Sequence, residues 1–430
     1  MNRVFIVDGA RTPFLKARAE PGPFSASDLA VASARPLLAR QPFSATQLDE
    51  VIVGCVIPAA DEANIARLIA LRLGCGKRVP AHTVQRNCAS GLQAIATAAE
   101  RIQLGRSHLV LAGGTEAMSR APIQWNSAMA GWLGKMLRAR NPLQRLQALA
   151  RFRPSLLKPV YALLLGLTDP LVKLSMGQTA EILAHHFGIS RETQDVYALN
   201  SHKRLAAAFD AGHMNAEVET LYEVNERFYT EDTGLRRDTD LGQLAQLRPV
   251  FDRKYGLVTS GNSSQVTDGA AMLVLASETA VKQHGLSVLG EWVDHEWAGV
   301  DPSQMGLGPV HAVAQLLVRQ KMKMRDLQQL ELNEAFAVQV LACQAAWDSA
   351  QYAREELGLD APIGAMDPER LNPEGGAIAN GHPVGASGAR IVLHLLHALH
   401  RRGGGQGIAT LCIGGGQGGA MLLRAEGHKS

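Results

Sequence analysis

Apolar residues along this chain fall into short unbroken runs, and glycine follows several of them. The clearest runs span residues 4–7, 51–53, 109–112, 272–276, 408–413 and 421–423. Several are continuous rather than alternating, which is typical of strands that are buried on both faces of a sheet. The pattern therefore predicts a set of core strands distributed from one end of the chain to the other.

Longer segments with helical spacing separate many of these strands. Leu92, Ile95, Ala99 and Ile102 follow one another at steps of three and four residues, which places them on one face of a helix that ends near Leu104. Strands that alternate with helices indicate a layered α/β architecture.

The two ends of the chain carry similar patterns. Cys88-Ala-Ser-Gly opens one predicted helix and Gly385-Ala-Ser-Gly opens another, and each helix leads to a strand that ends in glycines. A second pair of matching segments spans residues 269–274 and 418–423. Their shared order predicts two similarly built halves. We assign residues 1–121 and 246–277 to the first half and 278–430 to the second.

Residues 122–245 have a different character, and we predict that they form an inserted loop domain. Ser190 is placed to cap a helix that reaches about Phe209. From Ala117 to Thr168 the chain has no acidic residue, whereas arginines, lysines, leucines and tryptophan alternate through residues 132–160. Such a basic amphipathic region could lie on a membrane or contact an acidic partner. The alternative is a solvated helical cover over the substrate entrance.

Composition narrows the function classes. The 430-residue chain has a net charge of only +3, which argues against a nucleic-acid-binding protein. Its five cysteines are widely spaced without a CxxC pair, so we expect reduced thiols rather than disulfides or a zinc site. No apolar run approaches the roughly 20 residues of a membrane span, and the N-terminal residues do not resemble a secretory signal. We therefore expect a cytoplasmic protein.

Cys88 is the first candidate for chemistry because it precedes a predicted helix. Unpaired amides and a partial positive charge at a helix N-terminus favour the thiolate, which is the nucleophilic form of cysteine. His382 is the second candidate, since it lies in the glycine-rich Asn380-Gly-His-Pro segment, where backbone can approach a ligand closely. A lone cysteine in such a turn is more often a small buried structural residue, and a lone loop histidine could equally have no chemical role.

Three further features of the sequence bear on its chemistry. Cys412 ends a predicted strand at a glycine turn, where residues commonly face a ligand. Asn333 could hold a water or polarise a carbonyl, but it could also cap a helix. His394, His397 and His400 lie opposite the apolar face of their helix, so we expect a solvated face rather than a metal site.

The Gly414, Gly416 and Gly419 pattern matches a dinucleotide-binding loop. We discount it because a strand-like segment follows, where that fold requires a helix.

Six segments together resemble the thiolase family, and the resemblance covers nearly the whole chain. The segments are Asn87-Cys-Ala-Ser-Gly, Met176-Gly-Gln-Thr-Ala-Glu, Thr259-Ser-Gly-Asn-Ser-Ser, Asn333-Glu-Ala-Phe, Gly381-His-Pro and Cys412 with its glycines. The resemblance implies two βαβαβαββ halves stacked in five α-β-α-β-α layers, with an inserted loop domain. It also implies the reversible reaction of acyl-CoA and acetyl-CoA to 3-ketoacyl-CoA and CoA.

The resemblance implies a role for each candidate. Cys88 would carry the acyl group, His382 would activate it, and Cys412 would exchange the α-proton of acetyl-CoA. Asn333 would position a water that forms one oxyanion hole with His382. The backbone amides of Cys88 and Gly414 would form the other. Splitting the reaction into acyl transfer and condensation lowers each barrier, and no metal or redox cofactor is required.

By the same resemblance, Met176, Ala335 and Phe336 would line the acyl and pantetheine pocket, and Ser264 would touch pantetheine. The basic insert is similar to that of thiolase subunits of fatty-acid oxidation complexes, which suggests a hydratase/dehydrogenase α-subunit as a partner. Those subunits often carry histidine where this chain has Asn333, so the preferred acyl length stays open. Relatives form homodimers or homotetramers, which we also expect here.

Two alternatives differ in class. A β-ketoacyl synthase-like enzyme shares the fold, but it usually has no second cysteine, so Cys412 argues against it. A non-catalytic lipid-binding or scaffold protein would be expected to lose reactive residues. Cys88, His382 and Cys412 are all present, which favours an acetyl-CoA acetyltransferase or a 3-ketoacyl-CoA thiolase of β-oxidation.

Overall fold

The computed structural model describes residues 2–18 and 20–427 of the chain. Its strands are β1 (Val4–Arg11), β2 (Leu15–Lys16), β3 (Glu50–Gly54), β4 (Ala81–Val84), β5 (Leu109–Ala117), β6 (Ile123–Trp125), β7 (Pro159–Tyr161), β8 (Leu221–Tyr222), β9 (Phe228–Tyr229), β10 (Thr267–Ser277), β11 (Gly290–Gly299), β12 (Gln329–Leu332), β13 (Gly404–Ile413) and β14 (Gln417–Glu426). Each of the six predicted apolar runs lies in one of these strands, so those predictions are confirmed.

The helices connect these strands and cover the sheet. They are α1 (Ala26–Ala39), α2 (Ile65–Arg72), α3 (Ser90–Gln103), α4 (Ser127–Arg138), α5 (Pro142–Ala150), α6 (Ala162–Gly166), α7 (Met176–His186), α8 (Arg191–Asp210), α9 (Leu241–Ala245), α10 (Glu278–His284), α11 (Gly308–Gln320), α12 (Ala337–Asp348), α13 (Ala350–Glu355), α14 (Ala377–Asn380) and α15 (Ser387–Arg401). Ser190 caps α8 by accepting from the Thr193 amide, as its position predicts.

The strands of both halves meet in one continuous sheet. Its order is β12-β13-β14-β11-β1-β10-β5-β3-β4, and β2 pairs with β10 at the side. A short antiparallel contact joins the halves where Val4 of β1 lies opposite Trp292 of β11. Strands β3, β5 and β10 are buried on both faces along their whole length, which explains their continuous apolar runs.

Alternate residues of one strand face different hydrophobic clusters, and this alternation defines the layers. Met272 and Val274 of β10 pack with α1 and α2, whereas Leu273 and Leu275 pack with α3 and α15. A third cluster joins α11 and α12 to the opposite faces of β13 and β14. Helices α3 and α15 therefore lie between the strands of the two halves, and the five-layered α/β fold is confirmed.

The residues between β5 and β10 contain α4–α9 and four short strands, and a buried ion-pair cluster anchors them to the core. The guanidinium of Arg11 in β1 donates to Glu217 Oε1 over 2.7 Å and to Asp232 Oδ1 over 2.7 Å. All three side chains are almost completely buried. These contacts fix the part of the segment that lies nearest to the core.

The basic part of this segment is far more exposed than the rest. Trp132 of α4 meets Phe152, two residues after the end of α5, edge to face at 5.3 Å between ring centroids. Large apolar side chains still face outward, including Leu137 at 86% exposure. No helix in the described ranges is long and apolar enough to cross a membrane.

The expected solvated face of α15 is wrong. His394 is only 3% exposed, and its Nδ1 lies 3.0 Å from Glu217 Oε2. His397 and His400 are partly buried, and His400 Nε2 contacts the Leu289 carbonyl. His394 and His400 thus meet Glu217 and the Leu289 carbonyl, which belong to distant parts of the chain, instead of facing only water. No cluster of histidine, cysteine and carboxylate side chains suited to a metal occurs within residues 2–18 and 20–427.

Candidate active site

One cavity collects most of the residues that the sequence singles out. Its volume is about 270 Å³, and it lies where loops of both halves meet the start of α7. The predicted site residues that line it are Cys88, Met176, Ser264, Ala335, Phe336, His382 and Cys412. Residues separated by more than 300 positions in the chain therefore surround one small volume.

Cys88 occupies a tight turn between β4 and α3. The preceding Asn87 adopts a left-handed conformation with φ of 42°, and its Nδ2 donates to the Gly414 carbonyl over 2.7 Å. Ser90 closes the turn by accepting from the Arg86 amide over 2.9 Å. The turn thus holds Cys88 against the glycine turn after β13. Sequence reasoning did not single out Asn87 as a positioning residue.

The environment of Cys88 differs from the expectation of a resting thiolate. Burial raises the pKa of the Cys88 thiol above its usual value, although hydrogen bonds from the backbone amides of Gly414 and Cys88 itself act in the opposite direction. Desolvation outweighs the favourable contribution of the helix N-terminus because surrounding segments pack around the sulfur, although the residue stays partly accessible. The resting thiol is therefore protonated at neutral pH, and its activation requires a base.

His382 has the properties of that base. The distance between His382 Nδ1 and Ser387 Oγ is 2.6 Å. The Ser387 hydroxyl in turn donates a hydrogen bond to the Pro383 carbonyl over 3.1 Å. Because the serine proton points to Pro383, the Nδ1 proton of His382 points to Ser387, which leaves Nε2 as the proton acceptor. Burial, assisted by the positive charge of Arg390, lowers the pKa of His382 to about 4. The ring is therefore neutral at pH 7.

The loop that carries His382 depends on glycine. Gly381 has φ of +102°, and a Cβ there would lie 2.3 Å from Thr267 Cγ2. The backbone amide of His382 donates to the Gln265 carbonyl over 3.1 Å. The left-handed residue and this hydrogen bond together direct the imidazole into the cavity.

Asn333 lies behind His382 at the end of β12. Its side chain is fully buried, with Nδ2 3.4 Å from His382 Nδ1. Its Oδ1 has no hydrogen-bond partner among the described residues. The alternative that Asn333 caps a helix is wrong, because α12 begins at Ala337 and Phe336 is its N-cap.

A buried carboxylate beside Asn333 holds three segments together. Glu334 accepts from Tyr197 Oη over 2.9 Å, from Ser201 Oγ over 2.6 Å and from the Ile378 amide over 3.1 Å. Asn372 Nδ2 also donates to it over 3.2 Å. Helix α8, the loop after β12 and the His382 loop are therefore fixed relative to one another. The sequence marked Glu334 only as part of a motif.

Cys412 is the second thiol of the cavity and ends the core strand β13. It is 1% exposed and lies opposite Gly418 of β14. Burial raises its pKa well above the usual value, and the nearby Cys88 acts in the same direction. Cys412 is therefore a neutral thiol at pH 7, which suits a group that exchanges a proton with carbon inside a dry pocket.

A second cavity of about 390 Å³ adjoins the first one. Both cavities are lined by Cys88, Met118, Leu167, Thr168, Met176 and Val384. The second cavity also contacts Gly414, whose amide lies at the Cys88 sulfur. It extends between the loop after β3 and the segment that contains α6. Cys88 thus lies at the junction of the two cavities.

Glu116 shapes the wall of this second cavity. Its carboxylate accepts from the Val56 amide over 2.9 Å and from the Ile57 amide over 3.0 Å. Complete burial raises the pKa of Glu116 to about 7. The residue was not predicted, because a lone glutamate within an apolar strand gives no sign of which distant backbone it will contact.

The arrangement combines the groups that acyl transfer through a cysteine requires. It offers a thiol at a junction of cavities, a neutral imidazole, a second thiol and backbone amides near the first sulfur. Nucleophilic attack, proton transfer and charge stabilisation can therefore act on neighbouring atoms of one bound substrate.

Comparison with protein-family models gives two matches that together span most of the chain. The model described as "Thiolase, N-terminal domain" matches residues 4–279, and "Thiolase, C-terminal domain" matches residues 286–425. The second match begins after β10, where the strands of the second half begin.

Full-length relatives give a consistent result. The chain is 40% identical over 427 residues to a 3-ketoacyl-CoA thiolase of Yersinia pestis, with 99% of this chain and 97% of the relative covered. It matches the crystal structure of human mitochondrial 3-ketoacyl-CoA thiolase in complex with CoA at TM-score 0.83 and 39% identity, covering 99% and 98% of the chains. It also matches the Bacillus anthracis acetyl-CoA acetyltransferase at TM-score 0.84 and 36% identity, covering 99% of each chain.

Proposed function

The chain belongs to the thiolase family and is an acyltransferase, and on that premise we propose that it cleaves 3-ketoacyl-CoA with free CoA through an acyl group on Cys88. The matched relatives are thiolases, so the β-ketoacyl synthase and the idle scaffold are not favoured. The arrangement of Cys88, His382 and Cys412 around one cavity is the observation that carries the proposal.

In the first half-reaction, His382 Nε2 takes the thiol proton of Cys88, and the thiolate attacks the 3-keto carbon of the substrate. The bond between carbons 2 and 3 then breaks, and its electron pair forms the enolate of acetyl-CoA. Cys412 donates a proton to carbon 2 of that enolate, and acetyl-CoA leaves. The remaining acyl group stays on Cys88 as a thioester.

In the second half-reaction, the thiol of free CoA attacks the acyl group on Cys88. The Cys412 thiolate left by the first half-reaction takes the proton of CoA, the Cys88 sulfur leaves and recovers its proton from His382, and acyl-CoA is released. The reverse sequence joins acyl-CoA and acetyl-CoA. Both directions use the same groups because each step is reversible.

Negative charge develops on a thioester or keto oxygen in both half-reactions. We propose that the amides of Cys88 and Gly414 stabilise it on the acyl group bound to Cys88. Asn333, through a water, and His382 would stabilise the enolate oxygen of acetyl-CoA. The Gly414 amide already lies at the Cys88 sulfur, and Asn333 adjoins the His382 ring, which supports this division.

We propose that Met176, Ser264, Ala335 and Phe336 contact the pantetheine arm of CoA. These residues lie in the same cavity as both thiols, and a matched structure contains CoA. Because the products contain the same atoms as the substrates and no electrons are gained or lost, the reaction needs no redox cofactor. We propose that the amides, Asn333 and His382 stabilise the developing negative charge, so that no metal takes part.

Several broader features are also part of the proposal. The protein would act in the cytoplasm in fatty-acid β-oxidation, as a homodimer or homotetramer. The three-part division at residues 121, 245 and 277 would describe its domains. The exposed basic helices within residues 132–160 would contact a hydratase/dehydrogenase α-subunit or a membrane surface, or simply cover the substrate entrance. Low net charge gives no support for a nucleic-acid partner.

A direct test measures thiolysis by purified protein. Acetoacetyl-CoA and longer 3-ketoacyl-CoAs are incubated with free CoA, and acetyl-CoA production is followed together with the mass of the intact protein. We expect acetyl-CoA from at least one substrate and an acyl adduct on Cys88. Absence of thiolysis with every substrate, in protein that is folded, would contradict the proposed function.

A further inference from the structure

Glu116 is a fully buried carboxylate that contacts backbone segments from both halves of the chain. It lies near the end of β5, where its Oε2 accepts from the Val56 amide over 2.9 Å and its Oε1 accepts from the Ile57 amide over 3.0 Å. The backbone amide of Gly385, in the loop that carries His382, also approaches the carboxylate and favours its charged form. One side chain thus connects β5, the loop after β3 and the His382 loop.

The His382 loop approaches the first half so closely that glycine is required at Gly385. A Cβ at this position would lie 2.7 Å from Glu116 Oε2. On the other side, a Cβ on Gly91 would lie 2.8 Å from the Gly385 carbonyl oxygen. Gly91 belongs to the first turn of α3, the helix that follows Cys88. The backbone of the His382 loop is therefore in contact both with Glu116 and with the helix beside the nucleophile.

Glu116 has no cation among its hydrogen-bond partners in the described part of the chain. Besides the amides, its Oε1 accepts from the Cys55 thiol, at 3.6 Å from Sγ. Complete burial raises the pKa of Glu116 to about 7, because desolvation outweighs these hydrogen bonds. Titratable groups with strongly shifted pKa values beside a cavity are typical of functional sites. An apolar side chain would avoid the cost of desolvation, so the carboxylate points to a role in function.

We propose that Glu116 is a positioning residue for acyl transfer, and that it fixes the separation of His382 from Cys88 by holding the His382 loop and the loop after β3 against β5. This inference rests on the proposed function. Glu116 lines neither cavity, so it acts through the backbone segments that it holds. Because a proton passes between the Cys88 thiol and His382, a displacement of about 1 Å can lower the rate by roughly a hundredfold.

Glu116→Gln disturbs these contacts with almost no change in side-chain volume. One acceptor oxygen becomes an NH2 group, which donates and therefore meets backbone N–H groups unfavourably. We expect the maximal rate of acetyl transfer from acetyl-CoA to Cys88 to fall about tenfold or more. The half-saturating concentration of acetyl-CoA should change less than about twofold, because the residue lines neither cavity. Rapid mixing followed by intact-protein mass spectrometry gives both values.

A double-mutant cycle with His382→Ala distinguishes the positioning of His382 from general damage to the fold. If Glu116 acts through the His382 ring, Glu116→Gln should have no further effect on the residual acylation rate of His382→Ala. Damage to the fold would instead lower the rate by a similar factor with and without the imidazole. The slow residual acylation is followed by intact-protein mass spectrometry over long incubations.

Asp49→Asn is a matched control at the other end of the same strand. The carboxylate of Asp49 also accepts from two consecutive amides, that of His108 over 2.6 Å and that of Leu109 over 2.9 Å. These amides lie at the start of β5, about 23 Å from Glu116 for a strand of this length. Asp49 lines neither cavity. We expect the acylation rate of this variant to stay within about twofold of that of the unmodified protein.

Glu116→Asp keeps the proposal testable if the glutamine variant does not fold. It retains the charge and both acceptor oxygens, but it is shorter by one methylene group and cannot keep all of these contacts at once. The maximal acylation rate should therefore fall as it does with glutamine, with the same dependence on His382. Circular dichroism and the midpoint of thermal unfolding establish that each variant is folded.

The outcomes separate two kinds of failure. An unchanged acylation rate in a folded Glu116 variant, or a change confined to the half-saturating concentration, would overturn the inference and leave the proposed function standing. The same holds if the variant loses rate equally with and without His382. Absence of acylation and of thiolysis in the unmodified, folded protein would instead contradict the proposed function itself.

Discussion

Two regions of the molecule present a thiol to the same cavity by different means. Cys88 lies in a turn before α3, partly accessible, with the Gly414 amide at its sulfur. Cys412 lies at the end of a core strand and is 1% exposed. Burial raises the pKa of both thiols, but only Cys88 has a nearby backbone amide from another loop to offset it. Surroundings, rather than residue type, therefore distinguish the two thiols, which supports the proposed roles of Cys88 as nucleophile and Cys412 as proton donor.

The largest expected effect comes from removing the nucleophile. Cys88→Ala should lower kcat/KM for thiolysis by about a thousandfold or more, because no other group can hold the acyl intermediate. Intact-protein mass spectrometry with acetyl-CoA would detect the intermediate. An acyl adduct that still forms on the variant would contradict the proposal that Cys88, and not another thiol, carries the acyl group.

Cys412→Ala should separate the two half-reactions. We expect acetyl transfer from acetyl-CoA to Cys88 to persist, since it requires no proton exchange at carbon. Formation of acetoacetyl-CoA from two acetyl-CoA molecules should fall about a hundredfold or more. Stopped-flow acylation and steady-state condensation are measured on the same preparation. Equal loss of both activities would show that the thiols do not have separate roles.

Ser387 tests the proposed base of Cys88 because its hydroxyl contacts Nδ1 of His382. Ser387→Ala removes the acceptor of the His382 Nδ1 proton, so the ring can reorient or change tautomer. We expect kcat for acylation to fall about tenfold with little change in KM. Ser387→Thr, which keeps the hydroxyl, should recover most of the rate. A loss that threonine does not restore would indicate a packing role only.

A smaller effect should appear in the pH dependence of acylation. The pKa of His382 is lowered to about 4, so the ring stays neutral and able to accept a proton above that pH. Acylation should therefore decline only as pH falls toward about 4. The measurement is the pre-steady-state rate between pH 4 and 8, with circular dichroism as a check of folding. A decline centred near pH 6.5, the usual pKa of histidine, would contradict the lowered pKa of His382.

The smallest effects should come from the other thiols. Cys75 is 1% exposed, and burial raises its pKa to about 11. Iodoacetamide should therefore label Cys88 first, and Cys75→Ala should leave the acylation rate unchanged. Peptide mapping after timed labelling gives the order. Labelling of Cys75 before Cys88 in folded protein would show that access does not distinguish the thiols.

Sequence pattern predicted the elements of the core well because local spacing encodes burial. All six apolar runs are strands, and Leu92, Ile95, Ala99 and Ile102 are fully buried on one face of α3. The residues named by the family resemblance also lie together in one cavity, apart from Asn333 and Gly414, which adjoin it.

The failures concern partners that are distant in the chain. The histidines of α15 were expected to face solvent. His394 instead forms a hydrogen bond with the carboxylate of Glu217, which lies 177 positions away in the chain. The resting state of Cys88 was predicted from its helix, whereas desolvation by surrounding loops decides it. Ser387 was visible only as part of a repeated Ala-Ser-Gly pattern, and nothing in its spacing shows that it contacts His382.

The sequence by itself determined the α/β layering, the two similar halves and the residue types available for chemistry, because hydrophobic periodicity and glycine placement are local properties. Tertiary structure alone decided the protonation states, the hydrogen bond between Ser387 and His382, the position of Asn333 beside that ring, and the meeting of two cavities at Cys88. These depend on desolvation and on atoms brought within a few ångströms by chain segments that are far apart in sequence.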